Sequence, residues 1–185
     1  MVIYTNNNSD YCKTIDTIIQ LMATKHDFHK VIIGRSEFLD FVDQGILKVP
    51  AKIDTGAYRS AVHATKIKEV DGVLHFTLLG GHPVCGAFSK ELMTDNYTKV
   101  WVSNSFGQRE ERYEVSLKVK IGPKIFVTRF TLANRAKKIY PILLGRKLLN
   151  DRFLIDSSRS SINRIDLKKQ YNIDFPRDEE DGREV

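Results

Sequence analysis

The chain has 185 residues, 42% of them hydrophobic and 28% charged, with a formal net charge of +6. This is enough chain to bury one domain's core without covalent staples. No apolar run reaches the length of a membrane span, Cys12 and Cys85 build no disulfide framework, and no long basic run or aromatic–basic interleaving marks a nucleic-acid surface.

Residues 1–29 read as an N-terminal extension. Met1-Val2-Ile3-Tyr4 lacks the basic start and apolar block of a secretion signal, so the reducing cytoplasm is the expected compartment. Ile15, Ile18, Ile19 and Met22 recur at helical spacing, which predicts a short amphipathic helix. From residue 30 to residue 162 the punctuation is that of a β-barrel domain. Val31-Ile32-Ile33 is a strand ended by Gly34. Leu47 to Ile53 alternates as a half-buried strand and delivers Asp54-Thr55-Gly56-Ala57, a carboxylate on a turn opened by Thr-Gly. Asp71-Gly72 is a hairpin signal between two apolar runs, and Gly80-Gly81 closes the second.

Val100-Trp101-Val102 then leads into Ser103-Asn104-Ser105-Phe106-Gly107-Gln108, a loop whose glycine suits the tip of a mobile flap. The chain returns with Tyr113, Val115, Leu117, Val119 and Ile121 on one face, and Arg112, Glu114, Ser116, Lys118 and Lys120 on the other. Gly122-Pro123 turns it into Lys124 to Leu132. Pro141-Ile142-Leu143-Leu144 is an apolar strand ending in Gly145-Arg146, followed by one predicted helical turn over Lys147 to Asn150. Residues 163–185 read as a tail with a disordered acidic end. Short strands at this spacing, with little helix, predict an all-β closed barrel.

Lys52-Ile53-Asp54-Thr55-Gly56-Ala57, Ser60-Ala61-Val62-His63-Ala64, Glu110-Glu111-Arg112-Tyr113, Tyr140 to Arg146 and Arg152-Phe153-Leu154-Ile155-Asp156 resemble, in that order, the ATP-dependent zinc protease family. The resemblance runs from about Val31 to about Ser160. It implies a retropepsin-like barrel and an association with RimK-type glutamate ligases. It also implies an aspartic-peptidase site, with Asp54, Thr55 and Gly56 as the catalytic turn and Gly145-Arg146 supporting it from below.

Peptide hydrolysis without a metal or a covalent intermediate requires one carboxyl to take a proton from water and a second to donate one to the carbonyl oxygen. Two carboxyls that close share one proton. This chain has a single Asp-Thr-Gly, so the second must come from a homodimer mate. The competing reading of the turn is purely conformational. Ala57, Arg59, Phe106, Gly107, Arg109 and Arg112 are the candidate substrate-binding residues. Convergence of these arginines would favour acidic peptides or glutamylated proteins. Retropepsins pair the matching arginine with an acid just after Asp-Thr-Gly-Ala; here that place holds Tyr58, so the usual ion pair is missing. No cofactor is predicted. Zinc is the alternative carried by the family's name, with His63, His82 and Cys85 as weak candidate ligands and no His-Glu-x-x-His or Cys-x-x-Cys pattern behind them. A non-catalytic peptide-binding module is the other alternative.

Overall fold

The computed structural model of the chain describes residues 30–86, 88–103 and 107–173. The helix expected around Ile15 to Met22, Phe106 at the flap tip and the acidic tail end lie outside the described residues. Among the described residues the strands are β1 (Val31–Ile33), β2 (Ser36–Phe41), β3 (Ile46–Ile53), β4 (Ser60–Val70), β5 (Val73–Leu78), β6 (Lys90–Thr94), β7 (Tyr97–Ser103), β8 (Arg109–Ile121), β9 (Lys124–Ala133), β10 (Ile142–Leu144) and β11 (Phe153–Ile155). Two short helices, α1 (Arg146–Leu149) and α2 (Arg164–Gln170), complete the set. None is long and apolar enough to cross a membrane.

The fold is a closed barrel with the expected all-β character. Six strands follow one another in the order β10, β3, β2, β8, β9, β4, and β4 pairs back onto β10. Closure leaves these six without a free edge. Two long strands serve twice. Through Ser60 to His63, β4 runs parallel to β9; from Ala64 to Val70 it pairs with β5, with a register shift between Thr65 and Lys68. Similarly, β8 pairs with β2 and β9 over its second half and carries β7 on its first half, so the β7–β8 hairpin rises beyond the barrel wall.

Local sequence explains these elements. In β8, Val115, Leu117, Val119 and Ile121 are buried while Ser116, Lys118 and Lys120 are exposed, the period of two expected of a wall with one wet face. Asp71 and Gly72 both take positive φ, at 50° and 78°, which is the two-residue turn that matches strand twist and joins β4 to β5. The inward side chains meet in one core that includes Leu39, Phe41, Val62, Val119, Phe130, Ile142 and Leu144, all fully buried. Burying each such side chain contributes about 1.5–3 kcal/mol.

A second, smaller cluster joins Val84 and Ile139 to Ile162, Leu167 and Ile173. Leu167 belongs to α2, which lies in the stretch read from sequence as a tail. Asn163 caps this helix, its side chain accepting from the Ile165 and Asp166 N–H groups. Seven residues are too few for apolar periodicity to announce a helix.

Candidate active site

The Asp54 turn is built by a crossing of chain segments. β10 lies between β3, to which it is parallel, and β4, to which it is antiparallel. Residues 54–59 must therefore pass over the end of β10 to get from one to the other. At the start of the passage the Asp54 N–H donates to Leu144 O at 3.0 Å. At its end the Gly145 N–H donates to Ser60 Oγ at 3.1 Å. The first N–H groups of α1 hold the middle: Arg146 N donates to Ala57 O at 2.8 Å and Lys147 N to Tyr58 O at 3.0 Å. The contact is so close that a Cβ on Gly145 would lie 2.5 Å from Arg59 O and 3.0 Å from Ala57 O. Glycine is thus required by space, and Gly145-Arg146 supports the turn through its backbone.

Within the turn, Asp54 Oδ1 accepts the N–H groups of Gly56 at 2.9 Å and Ala57 at 3.0 Å. These bonds orient the carboxylate and leave Oδ2 without a hydrogen-bond partner among the described residues. Asp54 is half-buried and Thr55 and Gly56 are exposed, so the turn presents itself at the molecular surface.

A cleft of about 810 Å³ opens beside the turn. Gly56 to Arg59 form one wall, the stems of the β7–β8 hairpin another, and Thr131, Arg135, Leu143 and Arg146 the floor and far side. The cavity borders the turn at Gly56 and Ala57 rather than at the Asp54 carboxylate. Ala57, Arg59, Arg109 and Arg112 of the sequence-derived set are brought together here. Gly107 sits at the exposed hairpin tip with φ of 78°, just outside the lining. Two contributors were not singled out by sequence: Trp101, 66% exposed on β7, and Arg135. Arg135 follows β9 in an unremarkable Asn-Arg-Ala stretch, so only the closure of the barrel relates it to Ala57.

Five arginines and one acid, Glu110, line this space. They differ in what holds them. Arg59 is paired with Glu114, whose side chain is only 2% exposed and which also meets Arg129 Nη1 at 3.5 Å. Glu114 is thus the one outward position of β8 that is buried, covered by two guanidiniums. Arg112 gives two N–H groups to Glu110 Oε2, at 2.8 and 2.7 Å. Arg135 Nε donates to Tyr140 O at 3.1 Å. Arg109 and Arg146 form no ion pair with a described residue. With Tyr58 where retropepsins hold an acid, Arg146 is left exposed and turned to the cleft.

The histidines raised as zinc ligands are otherwise engaged. His63 and His82 are 0% and 1% exposed, with ring centroids 5.0 Å apart. His63 Nδ1 accepts the Arg135 N–H at 2.8 Å and Nε2 faces Gly80 O at 2.9 Å. His82 Nδ1 accepts the Val84 N–H at 3.2 Å and Nε2 faces Lys138 O at 3.0 Å. Accepting at Nδ1 assigns the proton of each neutral ring to Nε2. Burial holds the His63 pKa below its usual value. Burial, then the neighbouring His63, pushes His82 down to about 4. Burial likewise pushes the Cys85 thiol up to about 12, away from the thiolate that binds metal or attacks carbon. Among the described residues no three His, Cys, Asp or Glu side chains gather as a metal site.

Residues 87–165 match the family model described as the retropepsin-like aspartic endopeptidase RimB. The likeness to a RimB-like domain is carried by that stretch, under half of the chain. The matched segment holds the cleft hairpin and Gly145-Arg146; the Asp54 turn precedes it. Curated relatives include a probable alpha-L-glutamate ligase of Shewanella pealeana, 30% identical over 71% of this chain and 30% of the relative. Another is a probable alpha-L-glutamate ligase of Desulfotalea psychrophila, 31% identical over 70% of this chain and 29% of the relative. The chain thus spans under a third of the length of these relatives. Among solved structures, a Legionella pneumophila protein described as having unknown function is 27% identical, with a TM-score of 0.57, over 70% of this chain and 95% of that one. The likeness takes in nearly all of that solved chain.

Proposed function

We propose that this chain is an aspartic-type peptidase that sets Asp54 beside its own mate across a homodimer, needs no metal, and cleaves glutamate-rich peptides or glutamylated proteins in the cytoplasm. The observation that carries this reading is the braced turn. Asp54 is oriented through Oδ1 by two backbone N–H groups, Gly145 and α1 lock the loop from beneath, and Oδ2 is left available. Two such turns related by a two-fold axis supply one carboxylate to take the proton of water and one carboxyl to protonate the peptide oxygen. The cleft supports the choice of substrate. Its arginines outnumber its acids, and guanidiniums bind carboxylates in planar, charge-assisted pairs. The glutamate ligase names of the relatives support the same chemistry from the synthetic side.

Asp54→Asn is expected to keep the fold and abolish cleavage, since the amide matches the carboxylate in shape and cannot act as base. Peptides of matched length, one glutamate-rich and one glutamine-rich, read out the substrate class. The acidic peptide should be cleaved faster, and its advantage should fall with added salt. An Asp54→Asn protein that is folded and fully active would overturn the mechanism; equal rates and salt slopes would overturn the substrate class. A second reading, a peptide-binding module without hydrolysis, draws on the cleft bordering Gly56 and Ala57 rather than the Asp54 carboxylate. Tight binding of the acidic peptide by the wild-type dimer with no cleavage would favour it.

A further inference from the structure

Of the five arginines around the cleft, three are engaged by protein groups. Arg59 and Arg112 are ion-paired with Glu114 and Glu110, and Arg135 Nε donates to Tyr140 O. Arg109 and Arg146 stand differently, since neither guanidinium has a hydrogen bond or ion pair among the described residues. Glu110 is the one acid of the lining, and Arg112 already holds its Oε2 through two N–H groups. The cleft therefore keeps two positive charges with no counter-charge of their own, on two different walls. Arg109 is the first residue of β8, opposite Ser103 at the rim of the hairpin wall. Arg146 is the first residue of α1, on the floor beside Ala57.

Arg146 is the better placed of the two. Its N–H donates to Ala57 O at 2.8 Å and its carbonyl accepts the Asn150 N–H at 2.9 Å, so its main chain is fixed and only the side chain is left to move. Gly145 before it is packed against Arg59 O and Ala57 O. Ala57 closes the Asp54-Thr55-Gly56-Ala57 turn, so this guanidinium is rooted at the turn itself. An extended peptide advances about 3.3 Å per residue, so a carboxylate that Arg146 takes belongs to a residue within about two positions of the bond held over Asp54. We propose that Arg146 is a specificity-determining residue that binds the carboxylate of a glutamate near the cleaved bond, and that Arg109 binds a second carboxylate from the hairpin wall. The proposal rests on the acidic-substrate reading above and adds to it which arginines touch the substrate and where along the peptide each acts. A guanidinium offers paired N–H groups in a fork that matches a carboxylate, and one with no partner to give up costs the fold nothing when it binds.

The test uses the Asp54→Asn protein as the parent, so that binding is read without turnover. The probes are a fluorescent peptide of consecutive glutamates, its glutamine counterpart, and glutamine peptides carrying one glutamate at each position in turn. Arg146→Gln should weaken binding of the all-glutamate peptide about ten-fold and leave the glutamine peptide unchanged. Arg146→Lys keeps the charge without the fork and should recover part of the loss. In the single-glutamate series, Arg146→Gln should abolish the advantage of one or two neighbouring positions, and Arg109→Gln that of others. Lys120→Gln removes the same charge from an exposed site outside the cleft and should change affinity by less than about two-fold. Both arginine side chains are exposed, so the variants should fold with thermal midpoints close to the parent's.

An effect of Arg146→Gln no larger than that of Lys120→Gln, or one spread evenly over every position of the single-glutamate series, would overturn the proposal. Equal losses for the glutamate and glutamine peptides would do the same. A parent that binds the two peptides equally, or binds neither, would overturn it together with the acidic-substrate reading. If the wild type binds the glutamate peptide and fails to cleave it, the peptidase reading falls while the Arg146 assignment is still decided by the variants. If the wild type prefers glutamate peptides and Arg146→Gln is silent, the assignment falls alone.

Discussion

A carboxylate with one oxygen tied to the N–H groups two and three residues on is held in one orientation, as the Asn163 side chain is at the start of α2. What sets Asp54 apart is the bracing of its loop by Leu144 O, Gly145 and α1. The same distinction, between groups that are held and groups that are available, sorts the arginines. Arg59 is committed to a buried Glu114 and Arg112 to Glu110, whereas Arg109 and Arg146 have no ion-pair partner among the described residues. At this scale the buried histidines also set a pH response. His82 is held neutral in the fold, with its pKa pushed from 6.5 down to about 4 by burial first and His63 second. Above pH 6.5 neither folded nor unfolded protein protonates it and its contribution to stability is complete. As pH falls below 6.5 the unfolded chain takes up a proton that the fold resists, so stability declines until pH reaches the folded value. Between pH 6.5 and about pH 5 the loss from His82 should approach about 2 kcal/mol, and the lowered pKa of His63 adds in the same direction. Urea unfolding across this range should show the decline, and His82→Gln should flatten it. An unchanged slope in that variant would remove His82 as the cause.

At the scale of elements, the site depends on one crossing. β10 threads between β3 and β4, and the loop that carries Asp54 must clear its end. Gly145 permits the clearance because even one methyl group would sit 2.5 Å from Arg59 O, a backbone atom with no rotamer to escape into. Gly145→Ala should therefore destabilise the protein by about 1–3 kcal/mol or more, the usual cost of overpacking where the neighbour is rigid. It should also lower activity beyond what the stability loss explains, since the displaced segment includes Ala57 and the turn that orients Asp54. Chemical denaturation and peptide cleavage measured on the same sample check both parts. A variant with wild-type stability would show that the turn relaxes freely.

At the scale of the whole molecule, one retropepsin-like barrel carries one Asp-Thr-Gly, and dyad chemistry needs two. Sedimentation at rising protein concentration should show monomers combining into dimers, with specific activity rising along the same curve. Full activity in a demonstrated monomer would remove the dyad. The barrel corresponds to under a third of each curated relative, so in those chains it is joined to a much longer partner sequence.

How much of this was legible in the sequence follows from the range of each interaction. Strand alternation, the Asp71-Gly72 turn and the Asp-Thr-Gly-Ala and Gly-Arg motifs are local, so the barrel class, the candidate turn and the short helix after Gly145 could be read directly. Tertiary structure alone decided which charges meet. Glu114 reads as an outward residue of β8 by its period, yet closure of the barrel brings Arg59 and Arg129 over it. His63 and His82 read as weak metal ligands by residue type, yet their nitrogens are taken by backbone groups up to 72 residues away. Arg135 carried no signal, because its place in the cleft comes from a turn that those histidines hold. Periodicity and turn chemistry are written into neighbouring residues. The partner of a buried polar group is set by the path of the whole chain.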